Sequence, residues 1–428
     1  MGISAPRGTQ DVYPPESRRW VAFEATARAL AARFGYGEIR TPMFEATELF
    51  VRGVGETTDI VEKEMYTFHD KGGRSMTLRP EWTAPVVRAI LQHHLLESGP
   101  QRLYYIGPFF RYERPQAGRY RQANQFGIEC FGFAGAEADV EVMQLAMLLV
   151  AQYGIGDAAL RINSTGDAAC RPRYRDALLA HFGPIAAQLS EDSRARLERN
   201  PLRILDSKAP EDAPFVTTAP RVLDSLCEPC AEHFAAVCGY LDAIGLPYVV
   251  DPRIVRGLDY YTRTVFEIVS PELGAQNTIC GGGRYDDLVE SLGGPPTPGV
   301  GFGLGEERFL MLAADRSDEL PRAGIQAVAL GEAARAWLVP VIAALRDAGA
   351  VAVHADYQAR RIAAHFKTAD RNRARYALIV GDDELASRQI TLRDLETRQE
   401  SRLAVGEGGG GGAREVAGAI LRAVEGAA

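Results

Sequence analysis

The residues of this chain whose types and spacing can do chemistry fall in three stretches. The first, 110–131, reads as a strand, a basic loop with proline and glycine, and a second strand. Side chains alternate along a strand, so Arg111 and Glu113 share one face of the first, and Gln125 and Glu129 one face of the second. Paired as a hairpin, these four polar groups line one surface. The loop carries Arg114, Arg119 and Arg121, whose guanidinium groups can hold phosphate oxygens in bidentate fashion. A solvated sheet face is the alternative, although such a face more usually carries lysine and threonine.

The second stretch, Arg256-Gly257-Leu258-Asp259-Tyr260-Tyr261, continues into an aromatic and β-branched run with Arg263 and Glu267 set inside it. Gly257 lets the backbone beside Arg256 approach a ligand closely; an edge strand with ordinary ion pairs is the alternative. The third is a strand with glycine at 299, 301, 303 and 305. Its alternating glycines leave one face bare, so that something flat can lie on it. A helix is expected to begin near Gly305, which puts Arg308 in its first turn. There the helix dipole disfavours a cation, so the position suits an arginine directed at an anionic ligand, or one on an ordinary surface. Neither of the common nucleotide fingerprints, GxGxxG or GxxxxGK[ST], is present, so a bound nucleotide requires another architecture. No Ser-His or Cys-His pair occurs in these motifs. Cys227 and Cys230 form a lone CxxC with His233 close by, and nothing else in that stretch completes a zinc ligand set; they are expected to be structural thiols.

These stretches need elements to position them. Apolar residues at helical spacing predict a helix over 18–34, and a strand closed by Pro42 follows at 39–42. Strands are expected at 102–106, 109–113 and 126–131, a helix at 137–152, and further strands at 248–250 and 260–269. This mixture predicts an α+β domain with an antiparallel sheet. Residues 170–220 are polar and helical, with no strand signal, and read as an insertion. A linker at 321–324 leads into strands at 327–330, 351–354 and 376–380 that alternate with helices, then a hairpin-like pair: a small α/β domain with a largely parallel sheet. A glycine run at 408–412 precedes a last helix.

The composition is that of a globular chain with sizeable cores: 428 residues, 46% hydrophobic and 24% charged. No apolar run is long enough to span a bilayer and the N-terminus lacks a signal-peptide core, so the expected compartment is the cytoplasm, with the six cysteines as free thiols. A net charge of −8 argues against wholesale electrostatic capture of nucleic acid but leaves room for a local basic groove.

Taken together the three stretches resemble the class II aminoacyl-tRNA synthetases. The arginine-bearing hairpin is similar to motif 2 of that class, the glycine strand with Arg308 to motif 3, and the first helix, strand and Pro42 to the dimer-forming motif 1. Within the class, Arg256–Tyr261, Leu78-Arg79-Pro80-Glu81, Gly283-Arg284-Tyr285-Asp286 and 110–115 resemble the histidyl-tRNA synthetases along essentially the whole chain. Trp82 and Ala123 depart from the pattern, standing where glycine and an aromatic are usual. The resemblance implies a homodimeric ligase that activates L-histidine with ATP and Mg2+ and transfers it to tRNA(His), with no protein-bound structural metal and no membrane partner. It implies catalytic roles for Arg256 and Arg111, with Arg256 on the carboxylate and α-phosphate. Glu81, Thr83 and Gln125 would receive the α-amino group with Tyr260 and Tyr285 nearby, and Glu129 and Tyr261 the imidazole nitrogens. ATP would lie on Arg111, Glu113, Arg119 and Arg308, and tRNA on Arg114 and Gln116. The implied domains are a catalytic domain in two parts, 1–169 and 221–320, a helical insertion at 170–220, and an α/β anticodon-binding domain at 325–428. The alternative within this resemblance is the non-catalytic regulatory subunit of ATP phosphoribosyltransferase, which typically lacks the Arg256–Tyr261 stretch and the C-terminal domain.

Overall fold

The structure, a computed structural model, describes residues 2–55, 58–207, 209–254, 258–274, 277–313, 322–405 and 412–425. The chain forms two compact units, 1–315 and 316–428. The strands of the first unit are β1 Gly37–Glu38, β2 Phe44–Ala46, β3 Tyr66–His69, β4 Ser75–Leu78, β5 Gln101–Phe110, β6 Gln122–Phe131, β7 Ala159–Ser164, β8 Val249–Val250, β9 Thr262–Val269, β10 Thr278–Arg284 and β11 Gly299–Gly305. Eight of them make one sheet, in the order β1-β5-β6-β11-β10-β9-β7-β8. Its six central strands run antiparallel, and only the short edge strands β1 and β8 pair in parallel. β2, β4 and β3 form a small separate sheet. The fold class is α+β, as the sequence implies.

Period-two alternation divides the large sheet into two unlike faces. Phe126, Ile128 and Cys130 of β6, Phe266 and Ile268 of β9, and Phe302 and Leu304 of β11 point to one side. Helices Glu16–Arg33, Ala136–Gln152 and Glu228–Ala243 pack there, delivering Phe23, Ala27 and Leu30, Met143 and Leu145, and Val237 and Leu241 to a single core. The opposite face carries the odd-numbered residues of β5 and β6, among them Tyr105, Gln125 and Glu129.

Several sequence expectations are corrected in detail. The strand expected at 39–42 is Gly37–Glu38; beyond it only the Ile39 N–H reaches a strand carbonyl, that of Tyr104, at 2.8 Å. The segments expected at 102–106 and 109–113 are one strand, and Arg111 and Glu113 lie past its end. Pro108 is tolerated inside it because its ladder partner Asn124 turns its N–H away, to the Glu307 carboxylate at 2.9 Å, so no cross-strand donor is missed. The stretch 170–220 holds helices Arg171–Phe182, Glu191–Arg199 and Ala213–Thr217, and no strand among its described residues; Tyr174, Leu178, Phe182, Leu189, Ile204 and Val222 form a separate small core.

One buried ion pair ties the helical layer to the sheet. Arg284 at the end of β10 and Asp139 in helix Ala136–Gln152 are both fully buried and joined by three guanidinium–carboxylate contacts, two of them at 3.1 and 3.3 Å. The remaining donors of Arg284 go to the Phe133 and Gly135 carbonyls and to Asp286, and His233 of helix Glu228–Ala243 reaches Asp139 at 3.3 Å.

In the second unit, strands β12 Ile325–Ala329, β13 Val353–Ala355, β14 Tyr376–Val380, β15 Gln389–Asp394 and β16 Glu400–Ala404 form a sheet in the order β13-β12-β14-β15-β16. The first three are parallel and joined by helices Glu332–Asp347 and Ile362–Arg371, and the last two form an antiparallel hairpin. The final helix, Gly412–Glu425, packs Val416, Ile420 and Val424 into this unit's core. The glycine run at 408–412 lies almost wholly outside the described residues.

Asp139→Ala leaves the Arg284 charge buried without its counter-ion, a change worth on the order of 3–5 kcal/mol of stability. Urea denaturation should register a loss of that size; a loss under about 1 kcal/mol would mean that the pair does not hold the layers together.

Candidate active site

On the sheet face opposite the main core lies a cleft of about 870 Å3. It is lined by ten of the expected site residues: Glu81, Thr83, Arg111, Glu113, Arg119, Gln125, Tyr260, Tyr261, Tyr285 and Arg308. Glu129 stands directly beneath it, bonded to Thr83 and Tyr285 of the wall. Arg114 and Gln116 do not line it; both are exposed on the loop that joins β5 to β6. Arg256 lies outside the described residues.

The floor is made by what β11 lacks. A methyl group at Gly301 would come within 2.3 Å of a Glu129 oxygen and of the Ile128 carbonyl, one at Gly303 within 1.7 Å of the Gln125 amide, and one at Gly299 within 2.5 Å of the Tyr285 ring. The bare face is therefore partly filled by the protein's own polar side chains, and Gly301, Gly303 and Gly305 line the cleft beside them. Gly127 plays the same part on β6, where a Cβ would overlap the Tyr105 hydroxyl.

Glu129 is the centre of one end of the cleft. Its Oε1 accepts hydrogen bonds from the Thr83 hydroxyl at 2.8 Å and the Tyr105 hydroxyl at 3.3 Å, and its Oε2 accepts from the Tyr285 hydroxyl. Burial raises its pKa to about 8 against the pull of these donors, with nearby Glu81 adding to the rise. Glu81 caps helix Thr83–Gln92: its two oxygens accept from the Thr83 and Ala84 N–H groups at 2.7 and 2.8 Å. Burial raises its pKa as well, opposed by those bonds and by the field of Arg111. Tyr260, Tyr261 and Tyr285 form a cluster with ring centroids 4.9–6.4 Å apart.

Cations gather at the other end. Arg111 is anchored through Nε to the Pro80 carbonyl at 2.8 Å and stands 3.7 Å from Glu113, which in turn holds Arg119 at 3.1 Å. The hairpin loop closes in a tight turn in which Gln116 and Arg119 exchange backbone hydrogen bonds. Gly118 takes a φ of +70° there and lies against Arg308, where a Cβ would meet Cγ at 2.9 Å, so the turn needs glycine on both counts. Arg308 falls in the first turn of helix Glu306–Leu312, as expected, and donates to the Thr278 carbonyl at 2.8 Å. Burial, with a contribution from Arg119, lowers its pKa. Like-charged guanidiniums held this close favour an anion between them.

Tyr105 and Glu307 are among the cleft residues that carry no sequence expectation, and Trp82 stands in the sequence only as a departure from the family pattern. Tyr105 alternates in step with Gly107 and Phe109, a period that the two expected segments, 102–106 and 109–113, do not span. Glu307, raised by burial to about 7, accepts from the backbone and side-chain amides of Asn124. Trp82 is stacked on Tyr105 with ring centroids 4.5 Å apart, and the Arg79 guanidinium lies 3.3 Å over its other side. Arg79 is itself tied to the Thr41, Pro42 and Pro108 carbonyls. Trp82 thus stiffens the wall that it helps to line.

The lone CxxC also gains neighbours in the fold. Asp167 and Cys170 come from an earlier stretch to within 4.8 Å of Cys227 and Cys230, neighbours that the stretch around the CxxC does not itself supply.

Comparison with known proteins places this geometry. A sequence profile described as histidyl-tRNA synthetase matches residues 8–308, and one described as anticodon binding domain matches 302–408. The chain belongs to the histidyl-tRNA synthetase family. It is 49% identical to a histidine–tRNA ligase of Geobacillus kaustophilus (95% of this chain, 97% of the relative) and 48% identical to one of Bacillus subtilis, with the same coverage. Its fold matches the apo histidyl-tRNA synthetase of S. aureus with a TM-score of 0.77 at 38% identity, over 94% of this chain and 97% of that one. A Bacillus halodurans protein described as an ATP phosphoribosyltransferase regulatory subunit/histidyl-tRNA synthetase matches with a TM-score of 0.65 at 20% identity, over 89% of this chain and 98% of that one, a likeness of fold alone. The aminoacyl-tRNA ligase reading stands over the regulatory one. No described helix is long and apolar enough to cross a membrane.

A carboxyl group whose pKa is raised on folding binds protons that the unfolded chain releases, so Glu129 favours the folded state below pH about 4.5 and that contribution is lost as pH rises towards 8. In Glu129→Gln the decline of stability between pH 5 and 8, followed by urea unfolding, should be shallower than in wild type, while Glu306 and Glu307 contribute equally to both curves. Parallel curves would show that Glu129 ionises normally.

Proposed function

We propose that this chain activates L-histidine with ATP, giving histidyl-adenylate and pyrophosphate, and then transfers histidine to the 3′ end of tRNA(His). The single observation that carries the reading is the polarity of the cleft: carboxylates and phenols at one end, Arg111, Arg119 and Arg308 at the other, on one sheet face. Neutral imidazole offers one N–H donor and one acceptor, and a carboxylate opposite a phenol, Glu129 and Tyr261, complements both. A wrong amino acid leaves these buried groups unpaired, which supports strong discrimination. Glu81, Thr83 and Gln125 receive the α-amino group, near Tyr260 and Tyr285.

Adenylation is an in-line displacement in which the histidine carboxylate attacks the α-phosphorus and pyrophosphate leaves, so it needs positioning and charge stabilisation rather than a protein nucleophile. Arg111, at the cationic end but with a field that reaches Glu81, suits the α-phosphate; Glu113 suits the adenine end, and Arg119 and Arg308 the outer phosphates. Arg256 takes the carboxylate and the α-phosphate together. Mg2+ neutralises the triphosphate. Near the phosphate end Glu113 is ion-paired with Arg119 and Glu307 accepts from Asn124, a set that fits a magnesium ion arriving on phosphate oxygens better than a protein cage.

Residues 1–169 and 221–320 serve as the catalytic domain, 170–220 as an insertion towards the acceptor arm and 325–428 as the anticodon reader. The working form is a cytoplasmic homodimer. In the last domain Lys367 and Arg371 ride on helix Ile362–Arg371 with Arg360 and Arg361 just before it, a basic stretch suited to RNA phosphates; Arg360 is bonded to Gln358 and stands 3.7 Å from Asp356, and Arg375 stands 3.5 Å from Asp394.

Histidine-dependent ATP–pyrophosphate exchange tests the reading, and absence of exchange by the folded enzyme would reject it. Arg256→Ala should lower single-turnover adenylation by ~10²–10³ with the fold intact; a rate within twofold of wild type refutes the role. Gln116→Ala should slow tRNA charging and spare pyrophosphate exchange, because the exposed turn reaches the acceptor end, where the extra 5′ guanosine is the expected contact. Equal losses in both assays would place Gln116 in the ATP site.

A further inference from the structure

We propose that Asp167, Cys170, Cys227 and Cys230 form a structural zinc site that clips the helical stretch between them to the main sheet. The ligand atoms of the four residues all lie within 4.8 Å of one another. A tetrahedral zinc with bonds of about 2.3 Å to sulfur and 2.0 Å to oxygen requires ligand atoms roughly 3.3–3.8 Å apart, so only a small contraction of the cluster is needed. Cys227 Sγ already stands 3.7 Å from both Asp167 oxygens. Among the described residues no other group of three or more such side chains converges in this way.

Helix starts and backbone donors surround the cluster. Helix Arg171–Phe182 begins directly after Cys170 and helix Glu228–Ala243 directly after Cys227, with Cys230 in its first turn, so two helix N-termini point at the sulfurs. That partial positive charge opposes the rise that burial imposes on the Cys170 and Cys230 thiols, and metal takes them as thiolates. The Cys227 N–H donates to Cys170 Sγ at 3.1 Å, and the Ala169 and Cys170 N–H groups donate to Asp167 Oδ1 at 3.0 and 3.2 Å, orienting the ligands from outside. Gly166 makes the loop possible: its φ is +64°, and a Cβ there would lie 2.4 Å from that of Cys170. Three soft sulfurs with one carboxylate select zinc over magnesium or calcium.

The site sits where such a clip is useful. Asp167 and Cys170 mark the entry to the stretch with its own small core, and Cys227 and Cys230 its exit. Thr165 and Gly166 exchange backbone hydrogen bonds with Arg263 at 2.7 Å, and Arg171 Nη2 donates to the Tyr261 carbonyl at 2.8 Å. The metal would therefore fix the base of the stretch beside the backbone of a cleft residue. Sequence spacing hid it, because the partners of Cys227 lie 57 and 60 residues upstream.

The test is elemental analysis of the full-length enzyme purified under reducing conditions from zinc-supplemented medium. The expected result is about one zinc per chain, falling below about 0.1 in the Cys227→Ser/Cys230→Ser double variant and retained in Asp167→Cys, which completes a four-sulfur set. Because the serine variant can also lose its fold, wild-type protein stripped of metal and refilled with cobalt(II) gives a second measurement. Thiolate-to-cobalt charge-transfer bands and tetrahedral d–d bands are expected, along with a rise in melting temperature on metal addition. Wild-type protein without zinc, zinc retained equally by the serine variant, iron in place of zinc, or a disulfide among these cysteines in metal-free protein would each overturn the proposal.

Discussion

The first unit depends on a constraint of space: the absence of side chains at Gly299, Gly301 and Gly303 along one face of β11. A carboxylate on a central strand normally meets apolar neighbours and is driven out of the sheet. Here the missing methyl groups leave volume for Glu129, Gln125 and the Tyr285 ring, and the polar atoms find one another before they find water. Substitution at Gly301 cannot be relieved by a rotamer change, because the Ile128 carbonyl is one of the atoms in the way. At Gly303 the obstacle is the far end of a flexible side chain, so the fold can survive while Gln125 leaves the floor. The two glycines thus separate stability from recognition on one strand.

The buried charge this permits is balanced by two different devices. Glu129 is held by hydroxyl donors and is driven towards its protonated form, whereas Asp139 on the other face is held by the fully buried Arg284 and stays ionised, its pKa lowered by His233 and Arg284 despite burial. The first arrangement leaves a group whose state a ligand can change. The second is closed, with every donor of Arg284 taken by Asp139, Asp286 or a carbonyl, and it serves as mechanical attachment between the layers. Two carboxylates in one domain acquire opposite protonation tendencies from their partners rather than from their depth.

Much of this was legible in the sequence because strands advertise themselves by period. The alternation of Gln125 and Glu129, the glycine pattern of β11 and the placing of Arg308 in a first helical turn all follow from spacing alone. The α+β class and the parallel start of the second unit's sheet followed from the order of elements. What was not legible is tertiary in origin. The expected strands stop at 106 and restart at 109, and the turning of the Asn124 N–H towards Glu307 explains why β5 runs on through Pro108. The role of Trp82 needs Arg79 and Tyr105 on its two sides, residues that sequence separation alone does not bring together. The pairing of Asp167 and Cys170 with Cys227 and Cys230 depends on a loop and a helix start meeting across an intervening helical stretch.

The neighbour relations of the large sheet also set an order in time. β6, which carries Gln125 and Glu129, has β5 on one side and β11 on the other, and β11 is the last strand of the unit to be synthesised. At typical elongation speeds of 5–20 residues per second, roughly 10–30 s separate the emergence of Glu129 from that of Gly301. Through that interval one edge of β6 is an unpaired row of backbone donors and acceptors, open to wrong partners. The small β2-β4-β3 sheet and the first hairpin can settle locally, but the floor of the cleft closes only when nearly the whole unit has left the ribosome. Truncation anywhere before β11 therefore yields a chain with an exposed strand edge, and the nascent enzyme has the greatest call on chaperones in this window.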